Sequence, residues 1–74
     1  MVKFRVKANP QGQYYFPKEV REELGESLEL VCNAKAAVVY SAETPLTTIL
    51  ESIDIIIKDL RHRLELQQKE PKNE

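Results

Sequence analysis

An unbroken heptad repeat in the second half of the chain is the feature that most restricts how this sequence can fold. The repeat alternates spacings of four and three, which is the pattern of one long helix with a continuous seam along one side. Thr44-Pro45 begins this helix, because threonine can cap it and proline suits the first helical position. The seam consists of Leu46, Leu50, Ile53, Ile57, Leu60, Leu64 and Gln67. We therefore expect a coiled-coil oligomerisation helix over residues 44–68.

The seam is expected to meet a second copy of the chain, most simply in a homodimer. Ile49 and Ile56 lie beside the seam and widen the apolar stripe in the first half of the helix. A four-helix tetramer made of two dimers is therefore the alternative. After the helix, residues 69–74 are polar and contain Pro71, so a disordered tail is expected there.

The length of the chain also favours self-association. A domain of 74 residues buries only about 60% of its unfolded surface, so a disulfide, a metal or a partner is expected to stabilise it. The single cysteine, Cys32, cannot close an intrachain disulfide, and with the single histidine, His62, it cannot make a zinc site. No cofactor is expected, and oligomerisation remains as the route to a core.

The first half of the chain predicts a small unit of strands around one short helix. Val2–Lys7 alternates apolar and basic residues as a half-buried strand does, and the turn formers Asn9-Pro10-Gln11-Gly12 follow it. Pro17 and Gly25 bracket the helix at Lys18–Leu24. The remaining strands are expected at Gln13–Phe16, Ser27–Cys32 and Ala36–Tyr40, and the order is β-β-α-β-β.

Charge is distributed unevenly along a chain that is almost neutral overall. Residues 1–21 hold five basic and one acidic side chain, a net charge of +4, and residues 22–43 hold one basic and five acidic, a net charge of −4. The remainder adds −1 to reach the total of −1. Two N-terminal segments brought together by a two-fold axis would form one basic surface that attracts a phosphate backbone.

The segment GQYYFPKEVREELG, from Gly12 to Gly25, resembles the AbrB/MazE/SpoVT family of swapped-hairpin transcription factors. The similarity covers about half of the chain, roughly residues 2–41. It implies a dimer in which the hairpins of two protomers interleave. The expected fold is then α+β: a swapped-hairpin β-β-α-β-β dimer, the DNA-binding domain, over residues 1–41, followed by the long C-terminal coiled-coil helix.

The resemblance also implies that basic residues around the first hairpin and the short helix contact duplex DNA. Gln13 stands where the family carries an arginine after the hairpin glycine, and it can hydrogen-bond a phosphate or a base edge without carrying charge. Arg5 and Gln13 are the candidates for reading base edges. The expected DNA-binding residues are Lys3, Arg5, Lys7, Gln13, Lys18 and Arg21.

Three functions are compatible with these patterns. The leading hypothesis is a dimeric, DNA-binding transcriptional regulator, and the second is an antitoxin whose C-terminal helix binds a toxin protein. The third is an assembly module without a nucleic-acid role. No enzyme is expected, because Cys32 alternates with Leu28 and Leu30 as a small buried residue would, and His62 falls on the outer f position of the heptad. The N-terminus is neither a signal peptide nor a membrane span, so a cytoplasmic protein with no membrane association is expected.

Overall fold

The computed structural model of the chain describes residues 1–69 and divides into two units, Met1–Thr44 and a second that begins at Pro45. Helix α1 spans Lys18–Leu24 and is followed by strands β1, Leu28–Asn33, and β2, Ala36–Ser41. Helix α2, Leu46–Lys69, forms the second unit. The protein is therefore of the α+β class, as the sequence predicted, with two antiparallel strands followed by a long helix.

The first two predicted strands, Val2–Lys7 and Gln13–Phe16, are absent from the structure, and the prediction of regular strands there was wrong for the single chain. The turn between them is present. Within residues 1–17, the backbone hydrogen bonds are those that close this turn, Gly12 N to Asn9 O at 2.8 Å and Asn9 N to Gln13 O at 2.9 Å. Alternation determines which side chains share a face, but a strand also needs a neighbouring backbone to pair with its N–H and C=O groups.

Helix α1 lies where Pro17 and Gly25 place it. Pro17 has a φ of −56° and an extended ψ, and its carbonyl accepts the N–H of Arg21 at 3.0 Å. Gly25 ends the helix with a φ of +83°, a conformation that costs glycine little, and its N–H donates to Arg21 O at 3.0 Å. Both ends of the predicted helix are therefore confirmed.

Strands β1 and β2 form an antiparallel hairpin in which Leu28 pairs with Ser41 and Asn33 pairs with Ala36. Ala34 and Lys35 make the two-residue turn, and Ala34 adopts a φ of +52°. Side chains alternate across the sheet, so Leu30 and Val31 face opposite sides, yet both are more than half exposed. A two-stranded sheet with apolar residues on both faces needs cover on each side to be stable.

Helix α2 begins with the N–H of Ile49 donating to Pro45 O at 3.1 Å and continues without a break to Lys69. It contains every position of the predicted seam. The first residue assigned to the disordered tail, Lys69, is helical, and the rest of that tail, residues 70–74, lies outside the described residues. Within residues 1–69, neither helix has the length and apolar content that crossing a membrane requires.

Burial is sparse within each unit. Among residues 1–69, Ile49 is the one buried hydrophobic side chain, and no polar side chain is buried. Cys32 is exposed, which corrects the expectation of a small buried residue: no layer of side chains from residues 1–69 covers its strand. His62 is exposed, as its outer heptad position predicted.

Candidate nucleic-acid interface

The turn at Asn9–Gln13 holds a compact set of polar contacts. The side-chain Oδ1 of Asn9 accepts the backbone N–H groups of Gln11 at 3.0 Å and Gln13 at 2.9 Å. Gly12 follows with a φ of +82°, the left-handed conformation that completes a hairpin turn of this kind. The turn formers predicted from the sequence therefore do make a tight reversal, and it is closed by an asparagine side chain.

The side chain of Gln13 belongs to the same network. Its Oε1 accepts hydrogen bonds from the Asn9 amide Nδ2 at 3.1 Å and from the Tyr15 hydroxyl at 3.0 Å. All three side chains lie at or near the surface, and Tyr15 is 69% exposed. Gln13 was predicted as a base-reading residue, whereas Asn9 and Tyr15 were not placed in the site. The contacts of Asn9 could have been predicted, because asparagine at the first position of a turn accepts backbone N–H groups of the residues that follow it.

The cations that precede the turn are open to solvent. Lys3, Arg5 and Lys7 are exposed, and none of them forms an ion pair with the part of the chain that the structure describes. They lie in an irregular segment that leads directly into the turn at Asn9. Their charges are consequently not neutralised by acidic side chains of residues 1–69.

Helix α1 adds the other two predicted cations. Lys18 and Arg21 are exposed and lie three residues apart, which places them on neighbouring positions of one helical face. Lys18 Nζ lies 4.0 Å from Glu22 Oε2, with the two side chains 76% and 65% exposed. A contact this long between solvated groups stabilises the helix little, so Lys18 can exchange Glu22 for a phosphate at small cost.

The acidic segment, residues 22–43, contains a hydrogen bond between a carboxylate and a tyrosine hydroxyl. Glu29 on β1 pairs across the hairpin with Tyr40 on β2. The Tyr40 hydroxyl donates a hydrogen bond to the Glu29 carboxylate, and this bond raises the pKa of Tyr40 above its ordinary value. Glu29 therefore links the two strands of the hairpin through a side-chain hydrogen bond.

The predicted oligomerisation residues form an exposed stripe on α2. Leu46, Leu50, Ile57, Leu60 and Leu64 are between 40% and 61% exposed, while Ile53 is half-buried. Next to this stripe, Arg63 Nε donates to Asp59 Oδ2 at 2.7 Å, one turn apart. That hydrogen bond holds the pKa of Asp59 below its ordinary value. The stripe is the largest set of exposed apolar side chains on one element of the described chain.

The structure thus assembles part of the predicted site. It joins Gln13 to the turn through Asn9 and Tyr15, and it leaves the five cations exposed in the first unit. Among residues 1–69, no group of three His, Cys, Asp or Glu side chains is placed to hold a metal ion.

Comparison of the chain with protein-family models, with curated proteins and with solved structures finds no significant match.

Proposed function

We propose that this protein is a dimeric DNA-binding regulator of transcription, related to the AbrB/MazE/SpoVT family and acting in the cytoplasm. It contacts duplex DNA through the basic face of its N-terminal turn and short helix. The observation that carries the proposal is the exposure of Lys3, Arg5 and Lys7, without acidic partners in residues 1–69, beside a turn that presents Gln13. Exposed, unneutralised cations next to a rigid polar group suit a phosphate backbone and an adjacent base edge.

The apolar side chains that the first unit leaves exposed support dimerisation. Phe4 and Val6 alternate with the cations and are 42% and 37% exposed, and Leu30 and Val31 are exposed on the two faces of the hairpin. A second copy that supplies backbone to pair with residues 2–7 and 13–16 would convert these segments into strands and cover the apolar side chains. This exchange is the swapped hairpin that the family resemblance implies.

The seam of α2 provides a second contact between copies. Its leucines and isoleucines are spaced as the core positions of a coiled coil and are largely exposed in the single chain. A homodimer would bury them along one seam. A tetramer of two dimers would also cover Ile56, which is 45% exposed beside the seam.

The test is duplex binding measured as a function of salt. Fluorescence anisotropy with a labelled random-sequence duplex should show affinity that falls linearly on logarithmic axes as salt rises. Arg5→Ala should weaken binding at low salt and reduce the slope by about one for each phosphate that the protein no longer neutralises. Lys35→Ala removes the same charge from the turn of the β1–β2 hairpin and is the matched control. Absence of duplex binding at low salt would refute the proposal.

A second candidate is an antitoxin whose α2 binds a toxin protein. Ile55 and Leu66 lie outside the seam and are 57% and 46% exposed, so a two-stranded coiled coil would leave them uncovered. Co-expression with a ribonuclease-like protein encoded in the adjacent reading frame distinguishes the two candidates. A stable complex that Ile55→Asp disrupts favours the antitoxin, whereas a self-associated helix with no such complex favours the regulator.

A further inference from the structure

The hydrogen bonds around Asn9 determine which end of its side-chain amide faces Gln13. Two backbone N–H groups, of Gln11 and Gln13, point at one terminal atom of Asn9, at 3.0 and 2.9 Å. Backbone N–H groups only donate, so that atom must be the oxygen Oδ1. The other terminal atom is then Nδ2, which can only donate.

The orientation of Gln13 follows from that of Asn9. The Gln13 atom that lies 3.1 Å from Asn9 Nδ2 must accept, so it is Oε1. Tyr15 reaches the same oxygen at 3.0 Å and therefore donates its hydroxyl proton to it. With two hydrogen bonds accepted, Oε1 has both of its lone pairs in use. The amide Nε2 of Gln13 makes no hydrogen bond within residues 1–69, and the residue is exposed.

We infer that Asn9 and Tyr15 are positioning residues that make Gln13 a pure hydrogen-bond donor, so that it selects acceptor groups on DNA, the O6 and N7 atoms of guanine. This inference rests on the proposed DNA-binding function. A free glutamine reads adenine by donating to N7 while accepting from N6. That pairing needs the oxygen that Asn9 and Tyr15 occupy here, whereas two N–H donors match the two acceptors of guanine.

A phosphate oxygen is also a pure acceptor, so the Nε2 amide of Gln13 can also donate to the phosphate backbone of DNA. Contact with guanine and contact with a phosphate differ in a measurable way. A guanine contact makes affinity depend on the base at one position, whereas a phosphate contact changes affinity equally for all sequences. Lys3, Arg5 and Lys7 are exposed cations suited to phosphates, whereas Gln13 carries no charge, and this difference favours the base edge for Gln13.

Asn9→Asp is the variant that isolates this effect. A carboxylate can still accept the N–H groups of Gln11 and Gln13, so the turn is retained, but it has no donor to offer to Gln13. Gln13 then turns its Nε2 amide group towards the new carboxylate and exposes Oε1 to solvent. The exposed group becomes an acceptor, which matches the donor groups N6 of adenine and N4 of cytosine. Gln11→Asp adds the same charge to the same turn; Gln11 contributes only its backbone N–H to the network, so this variant changes no side chain of the network and is the matched control.

The experiment is selection of binding sites by the full-length protein from a randomised duplex library, followed by anisotropy on duplexes that differ at one base pair. The wild type should prefer guanine at one position by about tenfold. The Asn9→Asp variant should lose that preference and enrich adenine or cytosine there, and Gln11→Asp should keep guanine. Tyr15→Phe, which leaves Asn9 in place, should keep guanine with a reduced preference.

Each other outcome has a defined meaning. A uniform loss of affinity in Asn9→Asp that exceeds the loss in Gln11→Asp assigns the Nε2 amide of Gln13 to a phosphate and overturns the guanine assignment. If the wild type binds duplex DNA and Asn9→Asp and Gln11→Asp show the same affinity and the same base preference, the inference is overturned but the proposed function is not. Absence of duplex binding in every variant overturns the proposed function with it. Scalar coupling across the hydrogen bond between Asn9 Nδ2 and Gln13 Cδ, measured by NMR without DNA, reports the orientation directly, and absence of this coupling also overturns the inference.

Discussion

Asn9 and Gln13 are joined by three hydrogen bonds, one between backbones and two that involve the Asn9 side chain. Asn9 N donates to Gln13 O at 2.9 Å, Gln13 N donates to Asn9 Oδ1 at 2.9 Å, and Asn9 Nδ2 donates to Gln13 Oε1 at 3.1 Å. One residue therefore closes the turn and orients the group that the turn presents. The stability of the turn and the recognition proposed for Gln13 therefore depend on the same residue.

Asn9→Ala should destabilise the protein by about 1–2 kcal/mol, because the N–H groups of Gln11 and Gln13 lose their side-chain acceptor. Urea denaturation followed by circular dichroism measures the change. Asn9→Asp retains an acceptor at this position and should be destabilised much less. Equal destabilisation of the two variants would mean that the side-chain oxygen contributes little to the turn.

Ala34→Gly should stabilise the β1–β2 hairpin by about 0.5–1 kcal/mol, because Ala34 holds a φ of +52° that costs a residue with a Cβ more than it costs glycine. Ala37→Gly lies inside β2, where glycine is unfavourable, and should destabilise by a similar amount. Thermal melts at one protein concentration compare the two variants. A shift of the same sign in both would contradict the prediction.

Leu60→Asp should reduce the oligomeric mass in analytical ultracentrifugation, either from tetramer to dimer or from dimer to monomer. Burial of a leucine in the seam is worth about 1.5–3 kcal/mol per chain, and a carboxylate there would also be desolvated. His62→Asp places the same carboxylate on the outer face of α2, where the residue is exposed, and should leave the mass unchanged. Unchanged mass in Leu60→Asp would exclude the seam as an interface.

The pairing of Asp59 with Arg63 should make α2 sensitive to acid. The folded pKa of Asp59 is lowered by the Arg63 hydrogen bond, so its contribution to stability is present above the unfolded pKa of about 4 and is lost as the pH falls through the folded value. Asp59→Asn should lower the melting temperature at pH 7 and flatten its dependence on pH below about 4. Asp54→Asn, at a position without an ion pair to residues 1–69, is the control and should keep the wild-type profile.

Tyr40 should titrate above its ordinary value in the folded protein. A neutral hydroxyl donating to Glu29 stabilises the hairpin below the unfolded pKa of about 10, and that stability is lost as the pH rises through the raised value. Absorbance titration in a Tyr14→Phe, Tyr15→Phe background leaves Tyr40 as the reporter. Glu29→Gln should lower its pKa, whereas Glu43→Gln should not change it.

Local chemistry decided the features that could be predicted from the sequence alone. Proline and glycine restrict or extend the allowed φ, so the bounds of α1 and the turn at Asn9–Gly12 were predicted correctly. The heptad spacing located α2 because helical periodicity is a property of consecutive residues. Alternation predicted β1 and β2 because a two-residue turn brings these neighbouring segments together.

What the sequence could not determine depends on atoms brought together from different positions. The alternation at Val2–Lys7 predicts side-chain faces, but only a neighbouring backbone makes a strand, and residues 1–69 of the single chain provide none beyond the turn at Asn9. Exposure of Cys32 likewise depends on whether another layer covers its strand. The direction of the Gln13 amide was set by the folded geometry of the turn, because it depends on which atoms of Asn9 and Tyr15 come within hydrogen-bonding distance.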